Sequence, residues 1–233
     1  FETIKVIKAK PCLAFLHWQR LNDSALSLGI PFDLSFEEWN KALLETITKD
    51  NLYDGGIKAI LSGGVAARGL AERSQISHLA FQTFNVCMQA RAWRLVTAPW
   101  RRDSQNPIYH LKSINYLEAI QARRYALSCN ADDALFLNHQ NNITETTCAN
   151  FFIILEDTVL TPPLSEGVLS GVTRGRIFSL CNALNIACEE QALPYELLQE
   201  ADAVFMTNSL QGVFSVASVD AHHFQSAHEI IET

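Results

Sequence analysis

Ile143-Thr144-Glu145-Thr146-Thr147-Cys148-Ala149-Asn150 is the stretch on which the fold of this chain turns. It sets one acidic side chain, Glu145, between a short strand and the strongly apolar residues 151–155. Taken alone, Glu145 is either a loop carboxylate or a site carboxylate. Thirty-three residues upstream stands Lys112, in Tyr109-His110-Leu111-Lys112-Ser113-Ile114-Asn115-Tyr116. Downstream, Leu169-Ser170-Gly171-Val172-Thr173-Arg174 puts a glycine before a helix start. The first amides and the positive dipole end of such a helix suit a phosphate. The same residues also read as an ordinary cap built on Thr173.

Lys112 is the only lysine among residues 59–233, and residues 112–233 carry 5 basic against 15 acidic side chains. An amine in so acidic a half is either a surface group at a helix start or a group that does chemistry. Lysine forms a Schiff base with a carbonyl when desolvation and neighbours depress its pKa.

Composition narrows the classes. The 233 residues suffice for one large domain or two modest ones, and 48% hydrophobic with 18% charged residues describes a globular enzyme. A net charge of −7 excludes a broad nucleic-acid surface. No apolar run is long enough to span a membrane as a helix. The six cysteines (12, 87, 129, 148, 181 and 188) form no Cys-x-x-Cys pair, so they are expected as free thiols in a reducing cytoplasm. His222, His223 and His228 lack carboxylate or cysteine partners at ligand spacing and read as a solvated tail, with no metal centre expected.

Patterning predicts an α/β chain in two parts. Residues 1–98 form a smaller domain, 99–108 a polar, proline-bounded linker, and 109–233 a larger domain. In the first, strands are expected at 2–9 and 12–16, then a helix near 17–29 with Leu21, Ala25 and Leu28 on one face. Ser35-Phe36-Glu37-Glu38 is a capping box opening a second helix with Trp39, Leu43 and Ile47 inward. Strands are expected at 57–62, 76–84 and 93–98. In the second, helices are expected at 113–128 and 173–185, the latter carrying Ile177, Leu180 and Leu184. Strands are expected at 134–138, 151–155, 158–161 and 203–207, with residues 195–201 helical. The chain starts without Met, so its N-terminus is expected to be incomplete.

In order and spacing, these pieces resemble the class IV (fold type IV) pyridoxal-phosphate enzymes: branched-chain aminotransferases, D-amino-acid aminotransferases and 4-amino-4-deoxychorismate lyases. Lys112, Thr144-Glu145, Asn150, Thr161-Pro162 and Gly171-Val172-Thr173-Arg174 carry the likeness. It extends upstream to His17-Trp18-Gln19-Arg20 and downstream to Met206-Thr207-Asn208-Ser209, across nearly the whole chain. The resemblance implies the two-domain fold type IV, pyridoxal 5'-phosphate as cofactor, and a homodimer. It implies that Lys112 is the Schiff-base lysine and then the general base. Glu145 would face the pyridine nitrogen. Arg20, the Gly171, Val172 and Thr173 amides and Ser209 would hold the phosphate. Arg20 also admits a plain helix-surface reading. Thr3 belongs to a family segment, Gly-Asp-Gly-x-Phe-Glu-Thr, of which only Phe-Glu-Thr is present; it is expected near the cofactor, with a catalytic role.

Within the family, Arg68-Gly69 after a glycine-rich strand end and Asn208-Ser209-Leu210 are most like the lyases. The lyase reaction, a step of folate biosynthesis, takes 4-amino-4-deoxychorismate to 4-aminobenzoate and pyruvate. Arg68 is the expected contact for a carboxylate of this small anionic substrate. A class IV aminotransferase acting on D- or branched-chain amino acids is the alternative, and a non-catalytic paralogue the second. Ser170 stands where proline is usual and Val172 where isoleucine is; both are mild. Phe214-Ser215 replaces the usual x-Pro before Val216, which bears on the substrate and not on the cofactor.

Overall fold

Alternation along Glu2–Ile7 makes β1: Glu2, Ile4 and Val6 are buried while Thr3 and Lys5 are partly exposed. The computed structural model describes residues 1–87 and 91–232. They fall into two units, residues 1–87 with 112–114, and residues 91–111 with 115–232.

In the first unit, Lys8 and Ala9, at φ 50° and 58°, turn the chain from β1 into the two-residue β2 (Lys10–Pro11). The expected strand at 12–16 is not formed. Leu13, at φ 53°, instead starts α1 (Ala14–Leu28), whose C-terminus is set by Gly29 at φ 63°, a conformation glycine adopts without strain. Leu21 and Ala25 are buried as expected, while Leu28 is half exposed. α2 (Phe36–Lys49) begins at the predicted capping box: Glu38 N donates to Ser35 Oγ at 3.2 Å, and Ser35 N donates to Glu38 Oε2 at 2.9 Å. Its Trp39, Leu43 and Ile47 face is fully inside. With β3 (Gly55–Ser62) and β4 (His78–Phe84), the antiparallel sheet runs β2-β1-β3-β4. One core joins Ile4, Val6 and Ile57 of the sheet to Leu21, Trp39, Leu43 and Ile47 of the helices.

The second unit comprises β5 (Trp93–Arg102), α3 (Leu117–Ser128), β6 (Asp133–Asn138), β7 (Ile143–Thr146), β8 (Asn150–Leu155), β9 (Thr158–Thr161), α4 (Val172–Leu184), β10 (Cys188–Glu190), β11 (Ala203–Asn208), β12 (Gly212–Val219), β13 (His222–His223) and α5 (Glu229–Glu232). Strand pairing closes a ring, β8-β11-β12-β5-β6-β7 and back to β8, with β9 and β10 extending from β8 and β13 on β12. Alternate side chains fill the barrel: Leu135, Leu137, Phe151, Ile153, Val204, Met206, Phe214 and Val216 share one cluster. Their neighbours face out, Phe152, Ile154 and Phe205 onto α4, Ala134 and Phe136 toward α3. Small residues Ala122 and Ala126 are the buried positions of α3.

The expected linker at 99–108 is corrected: residues 99–102 continue β5, and Pro107–His110 form a 3-10 turn. Pro99 donates no ladder hydrogen bond, and the β5–β6 register shifts between Thr97 and Arg101 to absorb it. The helix expected from 113 starts at Leu117, leaving Lys112 in irregular chain. In α4 only Ile177 of the expected stripe is buried; Leu180 and Leu184 are half exposed and Cys181 takes the inner place. The short helix at Tyr195–Gln199 is 3-10 in form.

Candidate active site

In the first unit, β1 and α1 meet over a buried ion cluster. Glu2, wholly buried, accepts from Arg20 Nε at 2.8 Å on Oε1, and from Arg20 Nη2 and His17 Nδ1, both at 2.6 Å, on Oε2. His17 and Arg20 are three residues apart and so share a face of α1. Burial alone would raise the Glu2 carboxyl; the Arg20 and His17 bonds reverse this and hold it at about 2. Burial pushes the His17 imidazole below its ordinary value, against the pull of Glu2. Since a carboxylate only accepts, His17 carries its proton on Nδ1.

Lys112 belongs to this unit. The Phe1 backbone nitrogen donates to the Lys112 carbonyl at 2.8 Å, and Lys112 Nζ lies 4.6 Å from the Phe1 ring centroid. Lys58 Nζ lies 4.5 Å from the same centroid, and Lys58 is the register partner of Thr3. A second ammonium beside Phe1 is a feature that sequence reading missed; a polar residue at alternating spacing inside β3 was its only signal. Arg68 is exposed on the chain linking β3 to β4, outside both groupings.

In the second unit, Glu145 sits where the β6–β7 register slips between Leu135 and Leu137, so that Thr144 and Glu145 lie opposite Phe136. A bulge of this kind re-aims a side chain. Glu145 Oε1 accepts from Arg102 Nη1 at 3.2 Å, and Oε2 from Leu169 N at 3.0 Å and Asn150 Nδ2 at 3.3 Å. These three groups are donors, which suits a carboxylate. Arg102, buried, also donates from Nε to Glu118 Oε2 at 3.0 Å and stacks 3.5 Å from the Phe136 centroid. This arginine was not anticipated, because it lay in the stretch assigned to a linker.

Asn150 ties Glu145 to the start of α4. Its Nδ2 also donates to Leu169 O at 2.9 Å, and a Cβ added to Gly171 would come within 1.9 Å of its Oδ1. Gly171, not Thr173, is the N-cap, and no side chain caps the helix. Val172, Thr173 and Arg174 supply its first-turn amides. One strand from Asn150, its register partner Thr207 has a fully buried Oγ1 with no hydrogen-bond partner among the described residues. Ser209 follows in the β11–β12 turn, which Asn208 Oδ1 fixes by accepting from Leu210 N and Gln211 N. The second unit thus gathers Glu145, Gly171, Val172 and Thr173 around Asn150, with Ser209 two residues beyond Thr207.

Comparison with known proteins agrees with this geometry. The family described as amino-transferase class IV matches residues 1–219. The solved structure of a protein from Legionella pneumophila, provisionally named a 4-amino-4-deoxychorismate lyase, is 52% identical with a TM-score of 0.98, over 99% of this chain and 86% of that one. A provisionally named branched-chain-amino-acid aminotransferase of Methanocaldococcus jannaschii is 30% identical over 94% of this chain and 78% of its own. The aminodeoxychorismate lyase of Vibrio harveyi is 29% identical over 95% and 83%.

The family uses pyridoxal 5'-phosphate. The residues present fit that group: an uncapped helix start suits its phosphate, and a carboxylate surrounded by donors suits its ring nitrogen. The chain belongs to the amino-transferase class IV family of pyridoxal-phosphate enzymes, with the fold of that class.

Proposed function

We propose that the chain is a pyridoxal-phosphate lyase that converts 4-amino-4-deoxychorismate to 4-aminobenzoate and pyruvate. The 52% identity over 99% of the chain to the Legionella protein carries this reading, against 30% to the Methanocaldococcus aminotransferase. The bound cofactor supplies an electron sink. Lys112 would hold it as the Schiff-base lysine and, once free, would take the proton from the amine-bearing ring carbon of the substrate. The ether carbon–oxygen bond breaks as the ring becomes aromatic, and the enolpyruvate that leaves takes up a proton to become pyruvate. No external oxidant or reductant is needed.

Glu145 would partner the pyridine nitrogen and favour its protonated form. The α4 amides of Val172 and Thr173 with Gly171, the Ser209 hydroxyl and Arg20 hold the phosphate. Thr3 would lie near the cofactor with a catalytic role, and Arg68, exposed on the chain between β3 and β4, would meet a substrate carboxylate. Lys58, beside Phe1 in the same unit as Lys112, supports an anionic substrate as well. We place the enzyme in the cytoplasm as a homodimer, the first supported by six free cysteines, the second by family likeness.

The decisive assay supplies enzymatically generated aminodeoxychorismate and follows pyruvate and 4-aminobenzoate. Wild type is expected to release both in equal amounts. Lys112→Ala is expected to lose at least a thousandfold in rate with an unchanged circular dichroism spectrum, as for removal of a covalent catalytic group. Residual turnover within tenfold of wild type would remove Lys112 from the mechanism. A second reading, a branched-chain aminotransferase, is favoured by the Methanocaldococcus relative. Rapid stoichiometric conversion of the bound cofactor to pyridoxamine phosphate by leucine or D-alanine would establish an aminotransferase instead.

A further inference from the structure

Arg20 is a long side chain on a helix, and a guanidinium that is to meet a phosphate must be held in one plane. The Nε–Nη2 edge of Arg20 lies against both oxygens of Glu2, at 2.8 and 2.6 Å. This side-on pairing fixes the guanidinium plane. The carboxylate that does the fixing is itself immobile. Glu2 is the first residue of β1, paired with Ala59, and shares its buried face with Ile4 and Val6 of the core. His17 supplies a third short bond at 2.6 Å.

We propose that Glu2 is a positioning residue for the cofactor phosphate, acting through Arg20. This rests on the reading of Arg20 as a phosphate contact. Charge and orientation make opposite demands here, which lets them be separated. Glu2 cancels the charge of Arg20, so by electrostatics alone its removal strengthens the attraction for a dianion. If orientation dominates, removal weakens it, because an Arg20 freed of its fork spreads over many rotamers.

The test uses protein stripped of cofactor by dialysis against hydroxylamine, titrated with pyridoxal 5'-phosphate and separately with pyridoxal, which lacks the phosphate. Binding is read from tryptophan fluorescence and cofactor absorbance. Glu2→Gln is expected to weaken pyridoxal phosphate binding at least tenfold and pyridoxal binding less than twofold. Equal losses for both ligands mean a merely structural role and overturn the proposal; so does unchanged or tighter phosphate binding. If Glu2→Gln does not fold by circular dichroism, Glu2→Asp, which keeps the charge on a shorter arm, carries the same comparison with a smaller expected loss. Arg20→Met separates the two levels: if it keeps the wild-type preference for the phosphorylated ligand, the phosphate reading of Arg20 fails, and the role of Glu2 with it.

Discussion

Each unit carries an arginine–carboxylate pair among its candidate site residues, and those two pairs are built the opposite way round. In the first, the carboxylate is the fixed member: the Glu2 side chain is 0% exposed and Arg20 is 13% exposed. In the second, the arginine is the more buried member: Arg102 is 6% exposed against 13% for Glu145 and 30% for Glu118. The more deeply set partner is anchored by strand and core, and the other is turned toward the surface. An outward arginine suits an anion, and an outward carboxylate suits a protonated ring nitrogen.

Removing the anchor of the second pair should produce the largest effect on stability. Arg102→Met strands Glu118 and Glu145 around an apolar replacement, and breaking a buried pair from one side costs about 3–5 kcal/mol. Urea unfolding of the cofactor-free protein measures it; a loss below about 1 kcal/mol would mean that Arg102 is no anchor. The first pair should reveal itself in acid. Glu2 titrates lower in the folded than in the unfolded chain, so its contribution is complete above the ordinary carboxylate value and is lost as pH falls toward about 2. The shift corresponds to about 3 kcal/mol. His17 acts with the same sign from higher pH, because its folded form resists protonation. Unfolding midpoints at several pH values down to about 3 should fall less steeply in Glu2→Gln than in wild type; parallel slopes would break the comparison. A smaller effect belongs to Gly171→Ala, which drives a methyl into Asn150 Oδ1 and should cost about 2 kcal/mol by thermal unfolding. Unchanged stability there would show that Asn150 moves aside freely.

Much of this was legible from local signals. The Ser35–Glu38 box and the inward face of α2 follow from short-range pattern, whereas Lys112, Glu145 and Gly171 were singled out by their resemblance to the class IV enzymes. Pairing across long sequence distances was not legible. Glu2 meets Arg20 eighteen residues on, and Arg102 meets Glu145 forty-three residues on; nothing local marks either contact. Pro99 misled because a proline that ends a linker and one absorbed in a bulge look alike in sequence. The closure of six strands into a ring was equally hidden, since β7 and β12 were too short or too mixed in character to announce themselves.

That ring is fastened at its last seam by a single register pair, Glu145 with Asn150. The two residues that grip the carboxylate network are therefore also the clasp of the hoop. A ladder opens most readily where it is thinnest, and under the proposed function this clasp is also where the ring nitrogen binds. Occupancy should thus be recorded as slowed amide exchange along residues 143–150, a mechanical trace of the ligand that needs no turnover to be seen.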